Sequence, residues 1–168
     1  HEGIRRGEEF VTRKITKGVS RIYHKIFDVD QWRYRGGRAK PRFAPIELGN
    51  LDAKRDWSDS EDFVDGIWLM LNQNKPKDYL LASGETHSIR EFVEKAFHYA
   101  GLGGSSWVGE GVDEKFVHQS NGHMVDFVVV NPDFYRPAEV ELLLGDPSEV
   151  KKIGWKPKNS FDNLVKKM

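Results

Sequence analysis

Short apolar runs alternate along this chain with longer segments in which apolar residues recur every three or four positions. One such segment, MVDFVVV at 124–130, has the composition of a buried strand. Between Glu8 and Ile26 the apolar residues share one face of a predicted helix, with Glu8 and Glu9 in its first turn. Strands that alternate with amphipathic helices predict an α/β fold.

Helix starts are marked by a Ser or Asp placed three residues before a Glu, the pattern of a capping box. The pattern occurs at Ser58, Ser88 and Asp146, and Ser160 opens a last helix at the end of the chain. Further strands are predicted at 46–49, 79–82 and 106–108, with a strand and turn in EVELLLGD at 139–146.

Composition limits the classes of function. The 168 residues have the length of one domain and contain 26 basic and 26 acidic side chains, so no overall field favours nucleic acid or an anionic membrane. There is no cysteine and no apolar run of about 20 residues, and the six histidines lack metal-ligand spacing. We therefore expect a cytoplasmic protein without a metal site. Because the chain begins at His1, we also expect it to be part of a longer protein.

Two places near the start of the chain are suited to an anion. Arg5 and Arg6 are adjacent, and their mutual repulsion would be relieved by a phosphate close to the start of a helix. Val11 and Lys14 share a helix face, which would place an apolar contact beside an ammonium group. The alternative is a core valine next to a solvated lysine.

Two further places lie later in the chain. Arg55 follows a predicted strand in LGNLDAKRDW and could bind two phosphate oxygens at once. In YRPAEV, Arg136 precedes Glu139, whose carboxylate could accept two N–H groups from the edge of a guanine. The alternative for these two residues is a structural ion pair. No phosphate-binding glycine fingerprint or nucleophile motif is present, so the residues alone indicate an anion-binding domain without visible catalysis.

Five segments, taken in order, resemble the GDP-mannose 4,6-dehydratase family of extended short-chain dehydrogenases/reductases. They are HEGIRRGEEFVTRKI, LGNLDAKRDW, GETHSIREFVEKAF, YRPAEVELLLGD and GWKPKNSFDNLV. The last two are shared with many sugar-nucleotide enzymes, whereas the first two are typical of the GDP-mannose branch. The resemblance covers nearly the whole chain and matches the C-terminal half of the family.

The resemblance implies a parallel, dinucleotide-binding sheet that carries NADP and a smaller C-terminal part that closes over the sugar nucleotide. Family members convert GDP-mannose to GDP-4-keto-6-deoxymannose, the first step towards GDP-fucose, and are commonly homo-oligomers. The resemblance further implies binding roles for seven residues of this chain. The implied NADP contacts are His1 and Arg6, and the implied GDP-mannose contacts are Val11, Lys14, Arg55, Arg136 and Glu139.

The chain departs from the family pattern in two respects that matter here. The NADP loop and the catalytic Tyr, Lys, Ser or Thr, and Glu belong to the half that precedes His1, so we expect no catalytic residue among these 168 and no turnover by them alone. About sixteen extra residues interrupt the pattern, which we interpret as an inserted loop at about 27–45 within a single substrate-binding portion, 1–168.

A second class of function rests on QWRYRGGRAKPRF at 31–43. Five basic residues interleaved with aromatic ones around a Gly-Gly pair have the composition of a segment that stacks on single-stranded RNA. The balanced charge of the rest of the chain argues against nucleic acid, and a surface insertion is the simpler reading. A non-catalytic nucleotide-binding module is a third possibility.

Overall fold

The computed structural model describes residues 1–27, 43–120, 123–135 and 140–168. Five α-helices are present in these ranges: α1 (Val11–Ile26), α2 (Ser60–Leu71), α3 (Ile89–Tyr99), α4 (Ser148–Lys152) and α5 (Phe161–Lys167). The strands are β1 (Ile46–Leu48), β2 (Lys54–Arg55), β3 (His87–Ser88), β4 (Ser105–Val108), β5 (Lys115–Ser120), β6 (His123–Val130) and β7 (Leu142–Leu143). Helices and strands are mixed along the chain, as the α/β prediction requires.

The larger sheet has the strand order β1-β6-β5-β4. β4, β5 and β6 are antiparallel neighbours, whereas β1 joins β6 in parallel, with Ile46 opposite Val128 and Leu48 opposite Val130. Because β1 and β6 are parallel, their carboxyl ends meet at the same edge of the sheet. That edge is where the candidate site lies.

A smaller sheet holds the segment that follows β1. β2 lies in its centre, antiparallel to β3 and parallel to β7. The amides of Lys54 and Asp56 donate to the carbonyls of Glu141 and Leu143, at 2.7 and 2.9 Å. Two residues distant in sequence from β7 are thereby fixed against it.

Helices α1, α3 and α5 share one hydrophobic core with the larger sheet, and α3 packs against both α1 and α5. Phe92 and Phe97 of α3 are fully buried, and the Phe97 ring stacks on Phe127 of β6 with centroids 4.8 Å apart. Ile15 and Ile22 of α1, seven residues apart, point into this core. The three-and-four spacing of α1 is therefore explained by burial of one face.

Several predicted starts and ends are confirmed. The Ser88 hydroxyl accepts a hydrogen bond from the amide of Glu91 at 3.1 Å, and the Ser160 hydroxyl accepts from Asn163 at 3.2 Å. Gly101 follows α3 with a φ of 74°, the left-handed conformation typical of a residue just beyond a helix.

Three helix starts were predicted wrongly. α4 begins at Ser148 with Pro147 as its N-cap, so Asp146 is not the cap, although its carboxylate accepts from the Ser148 amide at 2.9 Å. α1 begins at Val11, because a tight turn closed by Phe10 N–H and the Gly7 carbonyl places Glu8 and Glu9 before the helix. The cap of α2 is Asp59, which accepts from the amide of Glu61 at 2.9 Å. The Ser58 hydroxyl is buried and has no hydrogen-bond partner within the described part of the chain.

Two strand predictions were also wrong. Residues 79–82 form no strand among the described residues, and only Ala82 of this run is buried, while Leu80 is 55% exposed. β5 was not predicted, although Phe116 and Val117 on it are buried. No helix in the described ranges combines the length and apolar character needed to cross a membrane.

Candidate functional site at the carboxyl edge of the parallel strands

The turn after β6 is fastened to the end of β1. The Asn131 amide donates to the Leu48 carbonyl at 2.7 Å, and its side-chain amide donates to Glu47 Oε2 at 2.8 Å. A short 3-10 helix, Pro132–Phe134, then passes so close to Gly49 that a Cβ there would lie 2.5 Å from the Phe134 carbonyl oxygen. Only glycine permits this approach, which fixes Phe134 over the edge of the sheet.

Lys14, in the first turn of α1, reaches this edge. Its Nζ lies 4.0 Å from the centroid of the Phe134 ring, a cation–π contact. Burial lowers the pKa of the Lys14 ammonium, and the carboxylate of Glu47 opposes this effect only in part. An incompletely compensated cation of this kind favours an anionic ligand.

A cleft of about 300 Å³ opens beside Lys14, between α1 and the start of β1. Lys17 and Arg21 add positive charge to its wall, while Glu8 and Glu47 add carboxylates. Lys17 is already paired with Glu8, its Nζ lying 2.5 Å from Oε2. Lys14, unlike Lys17, is not held by Glu8, and it contacts Phe134 in the turn after β6.

Arg55 contacts the chain directly after residues 136–139. Its Nη1 donates to the Val140 carbonyl at 2.6 Å and to the Lys54 carbonyl at 2.8 Å. The neighbouring Asp56 accepts from the Ser83 amide at 2.9 Å and from the Gly84 amide at 2.9 Å. Strand pairing and Asp56 together hold the backbone of Arg55 in place.

Lys14 and Arg55 thus contact residues that flank 136–139 in sequence. Lys14 meets Phe134 before residues 136–139, and Arg55 meets Val140 directly after them. Arg136 and Glu139 themselves lie outside the described residues. Val11 is half-buried and packs against the hydrophobic core.

Arg6 belongs to a separate cluster at the start of the chain. Its Nε lies 3.3 Å from Oε2 of Glu2, and its guanidinium carbon lies 3.3 Å from the centroid of the Phe10 ring. Glu2 is only 5% exposed, and its carboxylate also accepts from the Thr12 hydroxyl at 2.5 Å. A buried carboxylate therefore offsets and orients the positive charge of Arg6.

Comparison with known proteins identifies the family. A family profile described as GDP-mannose 4,6 dehydratase matches residues 1–168. The chain belongs to the GDP-mannose 4,6-dehydratase family. It is 47% identical to GDP-mannose 4,6 dehydratase of Drosophila melanogaster and 41% identical to that of Homo sapiens. Both matches cover 100% of this chain but only 38% and 40% of the relatives, so the chain spans about two fifths of their length.

Solved structures show the same fold. The NADPH complex of RMD from Pseudomonas aeruginosa matches 99% of this chain with a TM-score of 0.67, at 20% identity. The NAD complex of dTDP-glucose 4,6-dehydratase from Bacillus anthracis matches 99% with a TM-score of 0.62, at 12% identity. The chain covers 43% and 39% of these structures. The fold predicted from the family resemblance, part of an extended short-chain dehydrogenase/reductase, is confirmed.

In this member of the dehydratase family, His1 and Arg6 face different neighbours. The His1 ring lies 5.4 Å from the ring of Phe63 on α2, whereas Arg6 contacts Glu2 and Phe10. The roles of all seven predicted site residues stay predictions. Sequence reasoning missed Glu2, Asp56 and Phe134, although Asp56 lies within the LGNLDAKRDW motif.

The basic segment at 31–43 falls almost wholly outside the described residues. Its last residue, Phe43, is half-buried and packs against the core with its ring 6.1 Å from that of Phe127. Phe43 is thus engaged in the fold of this dehydratase-family chain and is poorly placed to stack on RNA. Among the described residues, no three His, Cys, Asp or Glu side chains cluster in a way that could hold a metal ion.

Proposed function

We propose that these 168 residues form the nucleotide-sugar-binding part of an NADP-dependent GDP-mannose 4,6-dehydratase. The observation that carries the proposal is the contact of Lys14 with Phe134 and of Arg55 with Val140, two residues that flank 136–139 in sequence, in a chain that matches the family throughout. The reaction would convert GDP-mannose to GDP-4-keto-6-deoxymannose with loss of water.

In this proposal the charged groups of GDP-mannose bind between Lys14 and Arg55. Arg55 places a planar, multiply donating group towards the pyrophosphate, and Lys14 supplies a second cation whose burial makes a phosphate partner favourable. Glu139 would accept hydrogen bonds from the guanine, and Arg136 would close over the nucleotide. The half-buried Val11 would give an apolar contact beside them.

Fewer of these residues are predicted to contact the cofactor than to contact GDP-mannose. The predicted cofactor contacts are His1 and Arg6, and of these two the guanidinium of Arg6 is suited to a dinucleotide phosphate. Glu2 and Phe10 hold this guanidinium in place. This fits one edge of NADP, and the remainder of the cofactor would bind to polypeptide outside these residues. When bound, NADP supplies reversible hydride acceptance. Arg6 would hold a phosphate and Glu2 would keep Arg6 in position.

The test compares two conservative substitutions in a complete enzyme containing these residues. Arg55→Lys is expected to weaken GDP-mannose binding by about 1–3 kcal/mol, because an ammonium cannot reproduce the paired donors, and to leave NADP binding unchanged. Arg6→Lys is expected to do the reverse. Each ligand is titrated calorimetrically into each variant.

Arg13→Lys, on α1, is the matched control and should alter neither affinity. Equal losses of both ligands in Arg55→Lys would show that the substitution disturbs the fold rather than a pyrophosphate contact. Unchanged GDP-mannose affinity would overturn the assignment of Arg55.

A further inference from the structure

The loop between β1 and β2, residues 49–53, is held by the first turn of α3. The amide of Ile89 donates to the Ala53 carbonyl at 3.2 Å, and the amide of Arg90 donates to the Leu51 carbonyl at 2.9 Å. These amides have no partner within α3, because the first N–H groups of a helix lack one. Leu51 and Ala53 are also buried, so the backbone of the loop follows the position of α3.

The Arg90 side chain joins this loop to the residue that precedes β5. Its Nε and Nη2 donate to Asp52 Oδ1 at 3.2 and 3.0 Å. Its Nη1 and Nη2 donate to the two carboxylate oxygens of Glu114, the Nη2 bond measuring 3.0 Å. All three nitrogens of the guanidinium are therefore used, and they are shared between two carboxylates from different parts of the chain.

Glu114 carries the connection on to β6. Its carbonyl accepts from the amide of Val130, the last residue of β6, at 3.3 Å. The turn that contains Phe134 follows directly. Arg90 therefore connects the segment that leads to Arg55 with the turn that carries Phe134.

The surroundings of Arg90 restrict the orientation of its guanidinium. The guanidinium carbon lies 4.8 Å from the centroid of the Trp107 ring, and Trp107 Nε1 donates to Glu94 Oε1 at 2.8 Å. The side chains of Arg90 and Glu114 are 26% and 15% exposed, so water competes less with this pair than with an ion pair on the surface. A planar group with several donors can bridge two carboxylates in this way, whereas the single ammonium of a lysine cannot reproduce the geometry.

A second ion pair of α3 has no such connection to the candidate site. Lys95 Nζ lies 2.7 Å from Asp162 Oδ1 and joins α3 to α5, and neither helix carries a predicted site residue. Arg90 differs because both of its carboxylate partners belong to segments that lead to the site. Asp52 lies three residues before Arg55 in the sequence.

We propose that Arg90 is a positioning residue for the nucleotide-sugar site. By holding Asp52 and Glu114 together, it fixes the segment that leads to Arg55 relative to the turn after β6, where Lys14 makes its contact. This role rests on the proposed function, in which Arg55 binds the pyrophosphate. Arg90 itself touches no ligand and acts through the position of Arg55.

The test uses Arg90→Lys in a complete enzyme containing these residues. Without ligand, hydrogen exchange measured by mass spectrometry should be about tenfold faster in peptides that cover 50–56 and 128–131, because the link between them is cut. In calorimetric titrations the affinity for GDP-mannose should fall about fivefold, the size of effect expected of a residue that supports a binding group without touching the ligand. The affinity for NADP should stay unchanged.

Lys95→Gln is the matched control. It breaks an ion pair of the same helix, and the Lys95 side chain is 29% exposed against 26% for Arg90. Exchange of the two peptides and both affinities should stay as they are in the unaltered enzyme. Should Arg90→Lys also speed exchange in α1, Asp52→Asn replaces it, because Asp52 is exposed and its substitution cuts only the link to the loop.

A residue that only stabilises the fold would act independently of Arg55. Arg90→Lys is therefore repeated in the Arg55→Lys background, where it should lower GDP-mannose affinity by less than about twofold, since the group that it positions is already absent. Equal losses in the two backgrounds would overturn the proposal, as would unchanged exchange of the two peptides or unchanged GDP-mannose affinity in Arg90→Lys alone.

Failure of the proposed function gives a different result. An unaltered enzyme that does not bind GDP-mannose would overturn that function and, with it, the role of Arg90. The exchange measurement needs no ligand, so it distinguishes this outcome from failure of the link between Asp52 and Glu114.

Discussion

Asp56 is expected to contribute more to stability than its partly exposed position indicates. One carboxylate oxygen accepts from the Ser83 amide at 2.9 Å and the Ser83 hydroxyl at 2.5 Å. The other accepts from the Gly84 amide at 2.9 Å and the Gly145 amide at 3.3 Å. Two distant loops are thereby tied to the residue next to Arg55.

The substitution Asp56→Asn keeps the shape of the side chain and removes half of this arrangement. With its oxygen towards Ser83, the amide nitrogen faces the N–H groups of Gly84 and Gly145, so two hydrogen bonds are lost and donors oppose donors. Hydrogen bonds to a charged group contribute about 1.5–3 kcal/mol each. Because water can reach this half-buried site, we expect a smaller total loss of about 2–4 kcal/mol in the free energy of unfolding.

Urea unfolding followed by circular dichroism measures this loss as a lower midpoint at an unchanged slope. Asp65→Asn is the matched control, because it removes only the surface ion pair with Lys158 and should cost about 0–1 kcal/mol. If the two variants differ by less than about 1 kcal/mol, Asp56 does not hold the loops together and the reasoning is refuted.

Two further predictions concern pH and charge. Burial lowers the pKa of Lys14, so Lys14→Met should raise the free energy of unfolding at pH 7 without ligand. This gain should shrink as the pH rises through the lowered pKa towards 10.5, because the lysine then loses its charge in the folded protein. Urea titrations over pH 7–11 measure the gain, and a gain that stays constant over this range would contradict the prediction. Burial also lowers the pKa of His118, whose ring stacks on Phe127. As the pH drops below 6.5, His118 is protonated in the unfolded chain before it is protonated in the folded protein, so the free energy of unfolding should fall. His118→Gln should remove that component of the pH dependence in the same assay, and an unaltered profile would exclude His118 as its source.

Local signals made several elements predictable. Ser88 and Ser160 could be identified as caps because their side chains bond to amides within the next turn, which depends on nearby sequence alone. β6 was predictable because its apolar residues are buried: Val125, Phe127, Val128 and Val130. Lys14 and Arg55 were chosen from their motifs, and the structure places Lys14 against Phe134 and Arg55 against Val140, while their roles stay predictions.

The errors arose where tertiary contacts decide. Asp59 rather than Ser58 caps α2, because Glu2 pairs with Asp59 through the backbone and fixes where the helix begins. β5 has only two buried apolar residues and exists through pairing with its neighbours. Phe134 could not be connected with Lys14 from sequence, since their contact depends on the close approach of Gly49 to the turn after β6.

The parallel pairing of β1 with β6 has a consequence for the order of folding. Strands β4, β5 and β6 follow one another and can pair through short connections, whereas Ile46 must find Val128 about 80 residues away. Closing so long a loop costs chain entropy before the pairing is rewarded. We therefore expect the edge that brings Lys14 to Phe134 to form late in refolding. In the proposed function, recovery of nucleotide affinity would lag behind recovery of the antiparallel strands, and would report completion of the whole structure.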